Sequence, residues 1–257
     1  MVNVYFDGQS GNNLFQYFLG RCIAKEKGYS LTFKYTNNQP NSVKKENDFF
    51  IFNGLKLPTH IEGVVNEKDD LLFKSHIFDW GECLKHDGSI TLKGYFQNYE
   101  FYKEYKKFIL KEIFKYNNIN NIEQEDDSIT LHLRLESYPW ITPISFYINI
   151  LKEKEYKVIY VVTDSPNHKH IKKLKSMFNI KVISNTPKDD FNFLCNSKNL
   201  IISQSTFAWW ASFLSKAKNI YFPVINDYNS NGIWYNQPKR NIDLFVNDEE
   251  RYKRIII

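Results

Sequence analysis

The stretch from Asn199 to Leu214, NLIISQSTFAWWASFL, constrains the fold more than any other. Leu200, Ile201 and Ile202 form a short apolar run suited to a buried strand, and Ser203 to Thr206 form a polar turn. Phe207, Trp210, Ala211 and Leu214 then recur at i, i+3, i+4 and i+7, the spacing of a helix face. Trp209 and Phe213 make the other side apolar too, so the helix is expected to be buried around most of its circumference. Strand, turn and buried helix place Ser205 and Thr206 where unpaired amides and the helix dipole make a phosphate-sized anion site. A plain N-cap, with Ser203 or Ser205 closing the first turn of a core helix, accounts for the same residues, and both readings stay open at this point.

The region around this stretch repeats its logic. Ser128 to Leu135 alternates Ile129, Leu131, Leu133 and Leu135 with Thr130, His132 and Arg134, which predicts a strand with two basic side chains on one face. Either that face meets an anion near the strand end or it lies on an exposed side of the sheet. Further along, the periodicity predicts helices over 146–152, 168–178 and 190–197, alternating with strands over 157–163, 180–183, 200–203 and 219–222. Such alternation is the mark of a doubly wound parallel α/β sheet, whose ligands bind beyond the carboxyl ends of the strands. Asp164, after Tyr160 to Thr163, and the Ser205-Thr206 pair occupy such ends.

The N-terminus offers a second strand-turn-helix. Val2 to Phe6 reads as a strand, Asp7 to Asn12 as a turn with two glycines, and Asn13 to Lys27 as an amphipathic helix. A strand end is expected near 91–97, and a partly helical period runs from Tyr99 to Tyr116. Its basic face, Lys103, Lys106, Lys107 and Lys111, admits a peripheral membrane contact beside the commoner reading of a solvated helix. Residues 35–50 read as a surface loop. The polar-then-acidic run from Asn117 to Asp127 marks a boundary, which divides the chain into an N-terminal lobe over 1–122, taken as the acceptor side, and a C-terminal nucleotide-sugar lobe over 123–257.

Composition narrows the function classes. A net charge of +5 suits a phosphorylated ligand or an acidic surface without choosing between them. The lysines are scattered and no basic-aromatic module is present, which argues against nucleic acid. Three dispersed cysteines, Cys22, Cys83 and Cys195, fit neither a disulfide framework nor a zinc site, and point to a reducing, cytoplasmic setting, with the periphery of a membrane as a variant of it. Asp69-Asp70, Asp126-Asp127 and Asp189-Asp190 are adjacent pairs in polar contexts, read as loops or helix caps rather than metal ligands, so no metal site is expected.

Taken together, GQSGNNLFQYFLGR (8–21), GYFQNYEFY (94–102), HLRLESY (132–138), VVTDS (161–165) and SQSTFAWWASFL (203–214) resemble, in order, the alpha-1,2-fucosyltransferases of glycosyltransferase family eleven. The resemblance implies a two-lobed GT-B-like fold with Rossmann-like parallel sheets. It also implies metal-independent use of GDP-beta-L-fucose and inversion at the sugar carbon, with a glycan as acceptor. By that likeness Gly11 and Asn12 approach the donor pyrophosphate, Arg134 binds its phosphates, His132 orients the site, and Ser205, Thr206 and Phe207 cradle the nucleotide, with Asp164 at a neighbouring strand end. The family usually shows His-x-Arg-Arg-Gly-Asp-Tyr where this chain has Leu135 for the second Arg and Ser137 for the acid. Glu136 is displaced by one residue, so on an extended chain it points to the opposite face. It is the candidate base, with Asp7 behind it. Two rivals follow: a transferase of the same fold using another sugar nucleotide, and a degenerate sugar-nucleotide or glycan binder without turnover.

Overall fold

The structure is a computed structural model that describes residues 1–35, 71–116, 122–136, 141–224, 236–237 and 241–257. Most of the loop read over 35–50, the Asp69-Asp70 pair, residues 117–121 of the boundary run, and Ser137 and Tyr138 lie outside those residues. The chain divides into two compact units, Met1–Asn118 with Trp234–Phe245, and Ile119–Ile233 with Val246–Ile257. The boundary run at Asn117 to Asp127 assigns all of 123–257 to the C-terminal lobe; Trp234–Phe245 instead belongs to the first unit. Backbone and side-chain hydrogen bonds hold it there. The Asp243 N–H donates to Gln97 O at 3.0 Å, and Asn98 Nδ2 donates to Asn241 Oδ1 at 2.8 Å.

The first unit is built on a four-stranded parallel sheet in the order β2-β1-β4-β3. Its strands are β1 (Val2–Phe6), β2 (Leu31–Tyr35), β3 (Leu71–Lys74) and β4 (Ile90–Lys93). Helix α1 (Ser10–Lys27) starts three residues before the amphipathic run begins and buries Leu14, Phe15, Phe18, Leu19, Cys22 and Ile23, and with them Asn13, Gln16, Tyr17 and Gly20, so burial extends beyond the single face that an amphipathic helix would cover. A short helix, α2 (Trp80–Lys85), is capped by Asp79, whose carboxylate accepts from the Glu82 N–H. Two 3-10 turns, Tyr99–Phe101 and Lys103–Tyr105, lead into α3 (Lys106–Tyr116), which explains why the period there was only partly helical.

The second unit carries a six-stranded sheet, every pairing in it parallel. Its elements are β5 (Ser128–Leu133), α4 (Ile144–Glu153), β6 (Val158–Thr163), α5 (Lys169–Lys175), β7 (Ile180–Ile183), α6 (Pro187–Cys195), β8 (Asn199–Ile201), α7 (Thr206–Leu214) and β9 (Asn219–Val224). The two-residue strands β10 (Asn236–Gln237) and β11 (Ile242–Asp243) pair in the first unit, and β12 (Tyr252–Ile256) closes the second. The order of the large sheet is β12-β9-β8-β5-β6-β7.

β5 lies in the middle of that order and is buried at all six positions, so it has no solvent face. Ile129, Leu131 and Leu133 pack with Phe146, Ile150, Ile171 and Leu174 from α4 and α5. The alternate residues, Thr130 and His132, are polar yet buried, and each is hydrogen-bonded: Thr130 Oγ1 donates to Gln124 Oε1 at 3.1 Å, and His132 bonds Ser203. That satisfies the rule that buried polar groups need partners. The strand ends at Leu133, two residues earlier than the alternation predicts, because Leu135 and Glu136 turn their amides to a side chain rather than to a neighbouring strand.

Candidate active site at a topological switch point

From β5 the chain runs outward through β6 and β7 on one side, and through β8, β9 and β12 on the other. The connections therefore reverse between β5 and β8, and in an open α/β sheet the crevice outside the carboxyl ends of two such strands is where ligands bind. His132 and Arg134 stand at the end of β5, and Ser203 to Thr206 follow β8. His132 and Ser203, 71 residues apart in sequence, thus become neighbours in space.

His132 is 6% exposed, and its Nδ1 shares a 2.7 Å hydrogen bond with Ser203 Oγ. The Tyr147 hydroxyl donates to the His132 carbonyl at 3.0 Å, fixing the backbone beneath the ring. Burial, with a lesser contribution from the Arg134 charge, pushes the His132 imidazole down to about 3. The ring is therefore neutral at ordinary pH and orients its neighbours rather than supplying charge. It lies 5.7 Å from the Phe207 ring, which meets Phe191 edge-on at 5.3 Å. Phe207 is the one half-buried residue of α7; the other eight are buried, as the all-round apolar pattern predicts.

Arg134 is a third exposed, and its Nη1 meets Asp164 Oδ2 at 2.9 Å. Asp164 also accepts the Leu135 N–H at 2.8 Å and the Glu136 N–H at 3.3 and 3.4 Å. One carboxylate at the end of β6 thereby holds both the guanidinium and the turn that follows β5. Glu136 is exposed and lies in the bend that follows β5. Ser205 is the N-cap of α7 by backbone conformation, but its side chain makes no cap hydrogen bond, and Ser203 spends its hydroxyl on His132. Ser205 thus holds the N-cap position of the plain-cap reading without the side-chain bond that such a cap makes. Ser205 and Thr206 are 9% and 7% exposed at the start of the helix.

His132, Arg134, Glu136, Asp164, Ser205, Thr206 and Phe207 accordingly gather in the second unit. Gly11 and Asn12 are in the first unit, in the opening turn of α1, where Asn12 Oδ1 accepts from Gln97 Nε2 at 2.8 Å. Gly8 precedes them at φ +80°, a conformation that favours glycine, and a Cβ there would also displace the Asn12 amide, whose Nδ2 would lie 2.4 Å away. Residues that the sequence reading did not single out include Thr142, whose Oγ1 accepts the Gln204 N–H at 3.1 Å, and Tyr147. Both precede or enter α4, and no motif marks them.

The acidic pairs inside the described residues have structural uses. Thr186 caps α6 by accepting the Asp189 N–H, Asp190 accepts the Asn185 N–H, and Asp126 and Asp127 pair with Lys198 and Lys154. Among the described residues no group of three His, Cys, Asp or Glu side chains is arranged to hold a metal ion.

Two parallel α/β sheets, with a fixed cation and a helix start at the switch point of the second, form a GT-B-like architecture. This is the fold of a glycosyltransferase. Residues 140–241 match the family model of glycosyl transferase family 11, the family whose motifs the sequence resembles. An alpha-1,2-colitosyltransferase of Escherichia coli is 26% identical over 248 residues, covering 80% of this chain and 85% of the relative. Among solved structures, a mutant of Arabidopsis thaliana FUT1 in complex with GDP superposes with a TM-score of 0.50 at 13% identity, over 84% of this chain and 68% of that one.

Proposed function

We propose that the chain transfers L-fucose from GDP-beta-L-fucose to a sugar hydroxyl of a glycan, with inversion and without a metal, to form an alpha-1,2 linkage. The observation that carries the reading is that the Asp164-held Arg134 follows β5 and the α7 start follows β8, the two strands of the switch point. Glycosyl transfer breaks the sugar–phosphate bond with its electron pair passing to GDP, while the acceptor oxygen bonds the anomeric carbon. Negative charge grows on the departing phosphate. A fixed guanidinium and helix-start amides aimed there stabilise it electrostatically, as a divalent cation does in other enzymes. The neutral His132 keeps the Ser203 turn in place. The acceptor hydroxyl must lose a proton, and Glu136, an exposed carboxylate two residues from Arg134, is the candidate to receive it. Three buried free thiols accord with a reducing, cytoplasmic setting.

The test incubates the protein with GDP-fucose and galactoside-terminated acceptors in EDTA, and assigns the product linkage by NMR. Transfer that needs added manganese or magnesium overturns the metal-free mechanism. GDP binding without turnover on any donor makes the protein a binder. A second reading rests on the colitosyltransferase relative, which makes colitose the other sugar to test as donor. Faster turnover with a colitosyl nucleotide than with GDP-fucose selects it.

A further inference from the structure

The net positive charge of the chain is concentrated in one short segment. Ser165 to Lys188 holds six lysines and no acidic residue, while all 257 residues together carry +5, so the remainder is at −1. Four of the six belong to α5. That helix buries Ile171 and Leu174 in the core. At 3.6 residues per turn, Lys169, Lys172 and Lys173 fall on the opposite face with Lys175 on its flank, and all four are exposed. Among the described residues none of the four ammonium groups has an ion-pair partner. α5 leads into β7, the edge strand of the sheet, and just past the helix Met177 is 38% exposed.

The stretch that sequence alone singled out for a membrane contact differs in this respect. Its lysines alternate with Glu100, Glu104 and Glu112, and Lys103 is paired with Glu100 at 2.6 Å. Its five lysines are partly compensated by three glutamates within the stretch, whereas α5 holds no acidic residue.

We propose that α5 is a docking surface for an anionic lipid bilayer, with Lys169, Lys172, Lys173 and Lys175 on the headgroup phosphates and Met177 entering the acyl boundary. Lysine is a strongly hydrated point charge suited to headgroups, whereas base recognition favours the planar fork of arginine, and Ser165 to Met177 contains neither arginine nor a Phe, Tyr or Trp for base stacking. An exposed methionine beside lysines gains from hydrocarbon and not from a phosphate chain. The proposal does not depend on which sugar is transferred.

The test is co-sedimentation of the full chain with vesicles of phosphatidylcholine alone or mixed with phosphatidylglycerol. Binding is expected only to the anionic vesicles, and it weakens as salt is raised. Each lysine near such a surface changes affinity about fivefold, so the triple variant Lys169→Gln, Lys172→Gln, Lys173→Gln loses on the order of a hundredfold. The matching triple Lys→Arg variant keeps binding, which separates charge from folding. Met177→Ser weakens binding and leaves the salt slope unchanged. GDP affinity is the same in wild type and both triple variants, whatever sugar is transferred. Equal vesicle binding by wild type and the glutamine variant overturns the proposal, as does absence of vesicle binding at low salt. Tighter binding to an oligonucleotide than to anionic vesicles reassigns the patch to nucleic acid, and an altered GDP affinity reassigns it to the nucleotide site.

Discussion

Replacing His132 by Asn should remove a specific part of the acid sensitivity of the fold. An unfolded histidine titrates near 6.5, whereas burial holds His132 down to about 3. As pH falls below 6.5 the unfolded chain takes up a proton that the folded chain refuses, so this group destabilises the protein progressively between 6.5 and 3 and contributes nothing at higher pH. At pH 5 the unfolded side chain is almost fully protonated and the folded one almost wholly neutral; about 1.5 pH units at 1.36 kcal/mol each gives a loss of roughly 2 kcal/mol relative to neutral pH. The assay is urea unfolding of wild type and His132→Asn at several pH values, comparing slopes rather than absolute stabilities. The substitution also disturbs the Ser203 bond and the contact with Phe207, which shift both ends of the pH range alike. Wild type should lose roughly 2 kcal/mol more than the variant between pH 7.5 and pH 5. Parallel curves refute the reasoning, and so does an NMR titration that finds the His132 imidazole protonating near 6.5.

Other outcomes test the site and the core. Arg134→Ala should slow transfer roughly 10² to 10³-fold, about 2.7–4 kcal/mol, and Arg134→Lys should fall between it and wild type because charge survives without the planar fork; near-identical initial rates in all three remove Arg134 from the site. Asp164→Ala strips the acceptor from the Leu135 and Glu136 amides and the partner from Arg134, so the melting transition should drop by the equivalent of about 1–3 kcal/mol and the donor KM should rise, with Asp164→Asn milder because it keeps an acceptor oxygen. Trp209 is fully buried and stacked on Phe213 at 5.1 Å, so Trp209→Ala should cost about 3–5 kcal/mol in urea unfolding; a loss below 1 kcal/mol contradicts the packing.

Local pattern alone determined a good deal of this protein. The apolar spacing of Phe207 to Leu214 specified a helix buried on nearly every side, and the strand–helix alternation after Ser128 specified a doubly wound sheet, since both periods are properties of consecutive residues. Arg134 and the Ser205-Thr206 turn were legible for the same reason: each sits where a predicted element ends. Tertiary structure alone decided what those ends meet. Parallel pairing of β5 with β8, 71 residues apart at His132 and Ser203, made the switch point and buried the His132 ring. No periodicity encodes strand order. The end of β5 at Leu133 depended on a carboxylate from another strand, and the return of Trp234–Phe245 to the first unit depended on hydrogen bonds to Gln97 and Asn98. Strands β2, β3 and β12 went unread because their short runs carry their signal in the neighbour they pair with, and that neighbour is distant in sequence. The charge of α5 was present in the composition from the start, but only the packing of Ile171 and Leu174 turned its lysines onto one exposed face.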